Sequence, residues 1–141
     1  MSMNARFKDN IRPERSGTIT SLEKLVLHIS GMRMTEEYEI TVEGGAAAVS
    51  HYVFRCVENG FERALEKRVE LGADEVVEKL NSFGLLSWNG FRGDHPRGVR
   101  DGIMFRLEAA VDGGAVIRAD GSENFPKHFK ELTFWLRGVL N

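Results

Sequence analysis

The side chains best suited to chemistry lie close together in one charged stretch, residues 91–101, which reads FRGDHPRGVRD. Its guanidinium groups are those of Arg92, Arg97 and Arg100. Because a guanidinium binds a carboxylate or phosphate through paired hydrogen bonds, this stretch could hold an anion. Asp94 and His95 are neighbours and could form an acid/base pair in which the carboxylate orients the imidazole.

Other interpretations of this stretch compete with the anion site. Glycine, proline and charged residues also make an ordinary solvated loop, and no nucleophile is recognisable beside Asp94 and His95. Binding residues are nevertheless common on loops that rigid elements hold in place. We favour the solvated loop, and keep anion binding and a small enzyme as alternatives.

The remaining sequence offers few residues for a metal or cofactor. It lacks G-x-G-x-x-G after a strand, a phosphate-loop lysine, H-E-x-x-H and G-x-S-x-G. The histidines fall in different predicted elements, at spacings that no metal site requires: His28, His51, His95 and His128. His28 and His51 lie on predicted solvent faces of strands. We therefore predict no metal site and no cofactor.

Residues 120–124, Asp-Gly-Ser-Glu-Asn, begin like a calcium loop but lack its later glycine and final glutamate. We interpret them as a turn before the last helix, with Ser122 or Asn124 capping its first turn. Cys56 is the only cysteine, which excludes an intramolecular disulfide and a cysteine-based zinc site. Its apolar surroundings in the sequence predict a buried, unreactive side chain.

Length and charge narrow the class of protein. A chain of 141 residues with 42% hydrophobic and 28% charged residues is typical of one globular domain. A formal charge of -2 argues against a nucleic-acid partner. No apolar run approaches ~18 residues and none follows Met1, so we expect neither a membrane span nor secretion. A bacterial cytoplasmic protein is the expectation.

Alternation of apolar and polar residues predicts the elements that position these side chains. Strands are predicted at about 22–30, 37–43, 49–56, 62–71, 103–112 and 115–119. In the fourth strand, Leu65 is placed on the apolar side, and so is Lys67, which indicates either a sheet rim or a shift in register. Gly44-Gly45 and Asn59-Gly60 are turn signals between strands.

Helical periodicity predicts two helices. The first spans about 73–83, ends at Gly84 and leads to Trp88 as an apolar anchor. The second runs roughly from Pro126 to Leu140. The order β-β-β-β-α-β-β-α predicts a single α+β domain over residues 21–141, with a mainly antiparallel sheet of about six strands and both helices on one face. Residues 1–20 are predicted to be a flexible N-terminal arm that adds at most a short strand.

Two aromatic residues of the last helix are candidates for a partner surface. Phe134 falls off the apolar stripe of this helix, and Trp135 lies at its edge. Exposed apolar clusters often mark contacts with other proteins. A helix that its neighbours cover more broadly would explain both residues equally well.

Several short motifs resemble a family of small uncharacterised bacterial proteins. They are Trp88-Asn89-Gly90-Phe91, Asp101-Gly102, Asp112-Gly113, Ala119-Asp120-Gly121-Ser122 and Asn124-Phe125-Pro126. The resemblance covers roughly residues 21–140, and its motifs are of the structural kind. It implies the same order of elements, and it implies no activity, cofactor or site.

Taken together, these features favour a non-catalytic module that binds a protein partner or a ligand. Self-association as a homodimer is one form of this hypothesis, because sheet edges and the last helix offer surfaces for contact. The alternative is a small enzyme or anion-binding protein that uses residues 91–101. An interaction module requires an apolar surface patch, whereas an enzyme requires the charged side chains to converge on a pocket.

Overall fold

The computed structural model of the chain describes residues 17–32 and 34–141. The strands are β1 (Leu22–Ser30), β2 (Thr35–Glu43), β3 (Ala46–Val57), β4 (Gly60–Gly72), β5 (Arg92–Gly93), β6 (Met104–Val111) and β7 (Ala115–Ser122). The helices are α1 (Ala73–Ser82), a 3-10 turn (Leu85–Trp88) and α2 (Phe129–Leu140). The predicted α+β class and the order of the long elements are confirmed.

All strands of the described residues form one sheet in the order β4-β3-β2-β1-β6-β7-β5. Every pairing is antiparallel except that of β5 with β7, which is parallel. The sheet has seven strands rather than the predicted six. The additional strand is β5, which lies inside the predicted loop, and two residues are too few to show alternation.

The helices cover one face of the sheet, as predicted. Leu25, Leu27 and Ile29 alternate along β1 and are buried in the same core as Leu80 of α1 and Leu132 of α2. The opposite face carries polar and charged residues, and His28 contacts Glu37 there across 3.6 Å. This asymmetry follows from the period of two in each strand.

The stretch from α1 to the 3-10 turn closely follows its prediction. α1 ends at Ser82, and Gly84 adopts a left-handed conformation with φ of 76°, which stops the helix at little cost in glycine. Trp88 is only 2% exposed. Its indole N–H donates a hydrogen bond of 3.0 Å to the backbone oxygen of Lys127, so the ring ties this turn to the start of α2.

α2 begins at Phe129, later than the predicted Pro126. His128 precedes it with a φ of 71°, outside the helical region, so helical hydrogen bonding cannot extend back through this residue. The predicted caps are wrong as well. Ser122 bonds to His95 and Asn124 bonds to Asp94, and no side-chain cap is formed.

A bulge in β4 separates Leu65 from the face on which Lys67 and Val69 lie. His51 pairs with Lys67, but Tyr52 pairs with Leu65, so Glu66 has no partner across the strands. One additional residue in a strand places the side chains before it and after it on opposite faces of the sheet from those that regular alternation would give. Lys67 alternates regularly with Val69 and Leu71 and points to the helix side of the sheet, whereas the residues before the bulge change faces. The prediction for Leu65 is wrong, since it lies on the opposite face and is 53% exposed.

The first described residues are held against the domain. Ile19 is 2% exposed, and its backbone N–H and C=O both bond to the side-chain amide of Asn81 in α1. The backbone N–H groups of Thr20 and Ser21 both donate to one carboxylate oxygen of Asp112. Most of the arm predicted at residues 1–20 lies outside the described residues. No helix of the described residues combines the length and apolar character needed to cross a membrane.

Candidate functional site

The loop predicted to carry chemistry is anchored mainly through its histidine. His95 Nδ1 lies 2.7 Å from the Ser122 hydroxyl, and Nε2 bonds to the backbone oxygen of Val99. Because a carbonyl only accepts, Nε2 carries a proton, and in the neutral ring Nδ1 accepts from Ser122. Both ring nitrogens thus have partners other than Asp94, whose backbone oxygen accepts from the Asn124 amide.

The charged residues of this loop do not all reach one place. His95 and Arg100 line a cavity of about 440 Å³ together with Ser122. Arg92, Asp94 and Arg97 are not among the residues that line it. Two of the five candidate residues therefore share a concave surface.

Close backbone packing fixes the inner edge of this loop. Gly93 pairs with Gly121 in the parallel β5/β7 ladder. A Cβ atom on either glycine would collide with the backbone oxygen of Asn124. Glycine is therefore required at both positions by the approach of the chain before α2.

The other predicted surface, around Phe134 and Trp135, forms the wall of a groove between α1 and α2. We call it the helix groove. It is lined by Lys79, Phe83, Lys130, Glu131, Phe134, Trp135, Gly138 and Val139. Its volume is about 620 Å³. Phe134 is 79% exposed, which confirms the exposure predicted from the helix phase.

The floor of the helix groove is aromatic and packed. Trp135 is partly buried against the core, and its ring centroid lies 6.2 Å from that of Phe83. Lys79 places its ammonium 5.7 Å from the Phe83 ring centre, within the range of a cation–π contact. The Phe134 side chain lies at the side of the groove and leaves the space above Phe83 and Trp135 open.

Gly138 is the unusual residue of the helix groove. It lies within α2, where glycine lowers helix stability by roughly 1 kcal/mol relative to alanine. A Cβ atom at this position would have no atom of the described residues within 4 Å. Neither crowding nor a positive φ within the described chain accounts for glycine here.

A third group of side chains was missed by the sequence analysis. Glu36 is 3% exposed and lies on the helix side of β2, beside Tyr38. Its Oε1 accepts hydrogen bonds from the Tyr38 hydroxyl at 2.8 Å and from His51 Nε2 at 2.9 Å. Burial, reinforced by the hydrogen bond and charge of Glu36, raises the pKa of Tyr38 to about 12.

The prediction that His51 faces solvent is wrong. It lies opposite Tyr38 in the β2/β3 ladder, and the two rings stack with centroids 4.6 Å apart. A usable signal was present in the sequence, because Glu36, Tyr38 and Ile40 have the same parity in β2. The identity of the residues across the ladder depends on register, which no local pattern contains.

Searches of known protein families, curated proteins and solved structures find no match to this chain. The family resemblance proposed from the sequence thus stays a prediction.

The hairpin of β3 and β4 ends in an exposed tip. Cys56 is exposed there, so its predicted burial is wrong. Phe61 is 76% exposed nearby. Among the described residues, no three histidine, cysteine, aspartate or glutamate side chains are grouped closely enough to hold a metal ion.

Proposed function

We propose that this protein is an interaction module that pairs with a second copy of itself through the helix groove. The observation that carries the proposal is the combination of an open apolar groove, the highly exposed Phe134 and the unfilled space above Gly138. A large exposed apolar side chain beside an empty apolar depression is the arrangement expected of a protein contact.

The groove and its neighbouring ring are self-complementary. Phe134 and Gly138 are four residues apart, so they lie on the same face of α2. A two-fold axis between these positions would run the two α2 helices antiparallel. Phe134 of each copy would then lie on Gly138 of the other, which is an isologous contact that closes as a dimer.

The edge of the sheet is a weaker candidate for the same contact. β4 is an edge strand of 13 residues, but it carries the Glu66 bulge and alternating charges. Bulges and charged side chains are the usual protection of a sheet edge against pairing. The helix groove is also lined by Lys79, Lys130 and Glu131, but it has no bulge, and it offers the exposed Phe134 ring and the open space at Gly138.

The expected affinity is modest. Burying a phenylalanine side chain stabilises a contact by about 1.5–3 kcal/mol, so two Phe134 rings contribute about 3–6 kcal/mol. Association costs about 4 kcal/mol or more in lost freedom. The walls formed by Phe83, Trp135 and Val139 must supply the surplus. A Kd on the order of 10–1000 µM requires a net of about 4–7 kcal/mol, so these walls must contribute several kcal/mol beyond the two rings.

Sedimentation velocity from micromolar to millimolar concentration tests the proposal. The wild-type protein should shift from monomer to dimer, and Phe134→Glu should stay monomeric because a charge cannot enter the apolar groove. Phe61→Glu is the matched control, since Phe61 is 76% and Phe134 79% exposed. Loss of the dimer in Phe61→Glu, or a wild-type protein that never dimerises, would contradict the proposal.

Anion binding by residues 91–101 is a second candidate function, supported by the cavity that His95 and Arg100 share. In a titration with inorganic phosphate followed by NMR, Arg100→Ala should lose binding. Arg97→Ala is the matched control from the same loop, because Arg97 does not line the cavity. Equal effects of the two variants would indicate general attraction to an exposed basic loop.

The remaining expectations about partners and location are part of the proposal. The formal charge of -2 supports a protein partner rather than nucleic acid. We also propose a bacterial cytoplasmic location. Fractionation of cells that express the full chain, with detection in the soluble or membrane fraction, tests this part.

A further inference from the structure

The cluster around Glu36 lines a cavity that is separate from the helix groove. This cavity, called here the Glu36 pocket, has a volume of about 420 Å³ and is lined by Met34, Glu36, Tyr38, His51, Glu66, Lys67, Arg137, Leu140 and Asn141. Pockets of roughly 300–1000 Å³ that combine apolar walls with a few polar groups are typical sites for small molecules.

One oxygen of the buried carboxylate has no hydrogen-bond partner among the described residues. Glu36 Oε1 is bonded to Tyr38 and His51. The nearest cation to Oε2 is Arg137 Nη2 at 3.7 Å, beyond hydrogen-bond distance. A buried carboxylate is costly unless both of its oxygens accept hydrogen bonds. A hydrogen-bond donor on a ligand would therefore bind at Oε2.

The charges at the mouth of the pocket have the opposite sign. Lys67 lies on this side of the sheet because it alternates regularly with Val69 and Leu71, and it has no ion-pair partner among the described residues. Arg137 forms an ion pair with Glu36 Oε2 across 3.7 Å, and its side chain is 58% exposed, so the carboxylate of a ligand at the mouth would compete with Glu36 for this guanidinium. Glu66, the other carboxylate of the lining, lies 3.6 Å from Arg55 and is partly neutralised by it.

We propose that the Glu36 pocket binds a small zwitterion of the amino-acid class. The ammonium group of the ligand donates to Glu36 Oε2, and its carboxylate pairs with Arg137 and Lys67. The apolar walls formed by Met34 and Leu140 accept an aliphatic side chain. The buried anion, Glu36, would thus face the ammonium of the ligand, and the two cations at the mouth would face its carboxylate.

Three related probes separate the contributions of the two charges. L-leucine carries both charges, isopentylamine lacks the carboxylate, and 4-methylpentanoate lacks the amine. In titrations followed by ¹⁵N NMR, L-leucine should bind about tenfold or more tightly than either of the others, as expected for one additional charged hydrogen bond. Shifts should centre on residues of β2, β3 and the end of α2.

Variants then assign each charge to a residue. Glu36→Gln, which keeps an acceptor for Tyr38 and His51, should weaken L-leucine and isopentylamine by about tenfold. Arg137→Ala should weaken L-leucine and leave isopentylamine unchanged. Arg118→Ala, whose ion pair with Glu108 is exposed, is the control and should bind as the wild type.

Three results would overturn the proposal. The first is that L-leucine causes no localised shifts. The second is equal binding of L-leucine and isopentylamine. The third is tighter L-leucine binding in Arg137→Ala, which would mean that the ion pair of Arg137 with Glu36 opposes the ligand instead of holding its carboxylate. Should Glu36→Gln fail to fold, Arg137→Ala with the three probes carries the test, because Arg137 is at the exposed rim.

Discussion

Replacing Gly138 with alanine should stabilise the isolated subunit. The residue lies in α2 without a positive φ, and an added Cβ would have no atom of the described residues within 4 Å. Alanine therefore gains the helix preference without steric cost, about 0.5–1 kcal/mol at a helix position. The gain is at the low end if the last turn of α2 frays.

Thermal unfolding by circular dichroism measures this gain. In a chain of this size, 0.5–1 kcal/mol raises Tm by about 1–5 °C. The scan is made at micromolar concentration, where the proposed dimer is dissociated and association does not add to Tm. An unchanged or lower Tm would show that Gly138 has a conformational or packing role within the subunit, and would refute the reasoning.

Gly44 provides the matched control for this prediction. An added Cβ at Gly44 also has no neighbour within 4 Å, but its φ is 57°. Gly44→Ala should therefore lower Tm, because alanine is strained at positive φ. Opposite signs at two equally open glycines would show that backbone conformation, and not space, decides the outcome.

The same position should respond differently in self-association. Gly138→Leu keeps a good helix former but fills the depression that the Phe134 ring of a second copy would occupy. The subunit should remain folded while sedimentation shows a loss of dimer. A dimer of wild-type affinity in Gly138→Leu would mean that this face of α2 is not the contact.

Three further predictions concern stability. Trp88→Ala should cost about 3–5 kcal/mol in urea unfolding, because the ring is buried; a nearly unchanged midpoint would contradict this role. The pKa of Tyr38 is about 12 in the folded protein and about 10 in the unfolded chain. The free energy of unfolding should therefore stay constant below about pH 10 and fall by about 2–3 kcal/mol toward pH 12. Tyr38→Phe should remove that decline, and a decline that persists would assign it to other groups. Asp112→Ala should lower the free energy of unfolding by about 1–3 kcal/mol, because the N–H groups of Thr20 and Ser21 lose their acceptor. Asp112→Asn should lower it less, because asparagine keeps an acceptor and tolerates the φ of 52°. Equal losses in the two variants would argue against a role of these hydrogen bonds.

Acid stability should reflect Asp112 as well. Its hydrogen bonds from Ser21 and Thr20 outweigh burial and hold the pKa of this carboxyl below its usual value. The stability that they contribute is therefore present above the unfolded pKa of about 3.9 and is lost as pH falls through the lower folded value.

Most of the fold could be predicted because its signals are local. Leu25, Leu27 and Ile29 alternate clearly, and Gly84 ends α1 where a left-handed residue is needed. The start of α2 could not be predicted, since Pro126 suits a first helical turn by itself. The positive φ of His128 is set by how the preceding chain packs.

The candidate sites were less predictable because they depend on distant parts of the chain. The exposure of Phe134 followed from helix phase, but the groove requires α1 beside it. The partner of His95 proved to be Ser122, which is 27 residues away. The Glu36 pocket combines residues of β2, β3, β4 and the end of α2, and no local pattern shows that these parts of the chain meet.

The most direct test of self-association through the helix groove is disulfide trapping between two different variants. Both carry Cys56→Ser, which removes the exposed native thiol. One carries Phe134→Cys and the other Gly138→Cys, and the two are mixed in a thiol–disulfide buffer. Our account predicts that the mixed dimer forms well in excess of either homodimer, because the two-fold contact brings Phe134 of one copy onto Gly138 of the other. Random pairing, or equal trapping with a Phe61→Cys control, would contradict it.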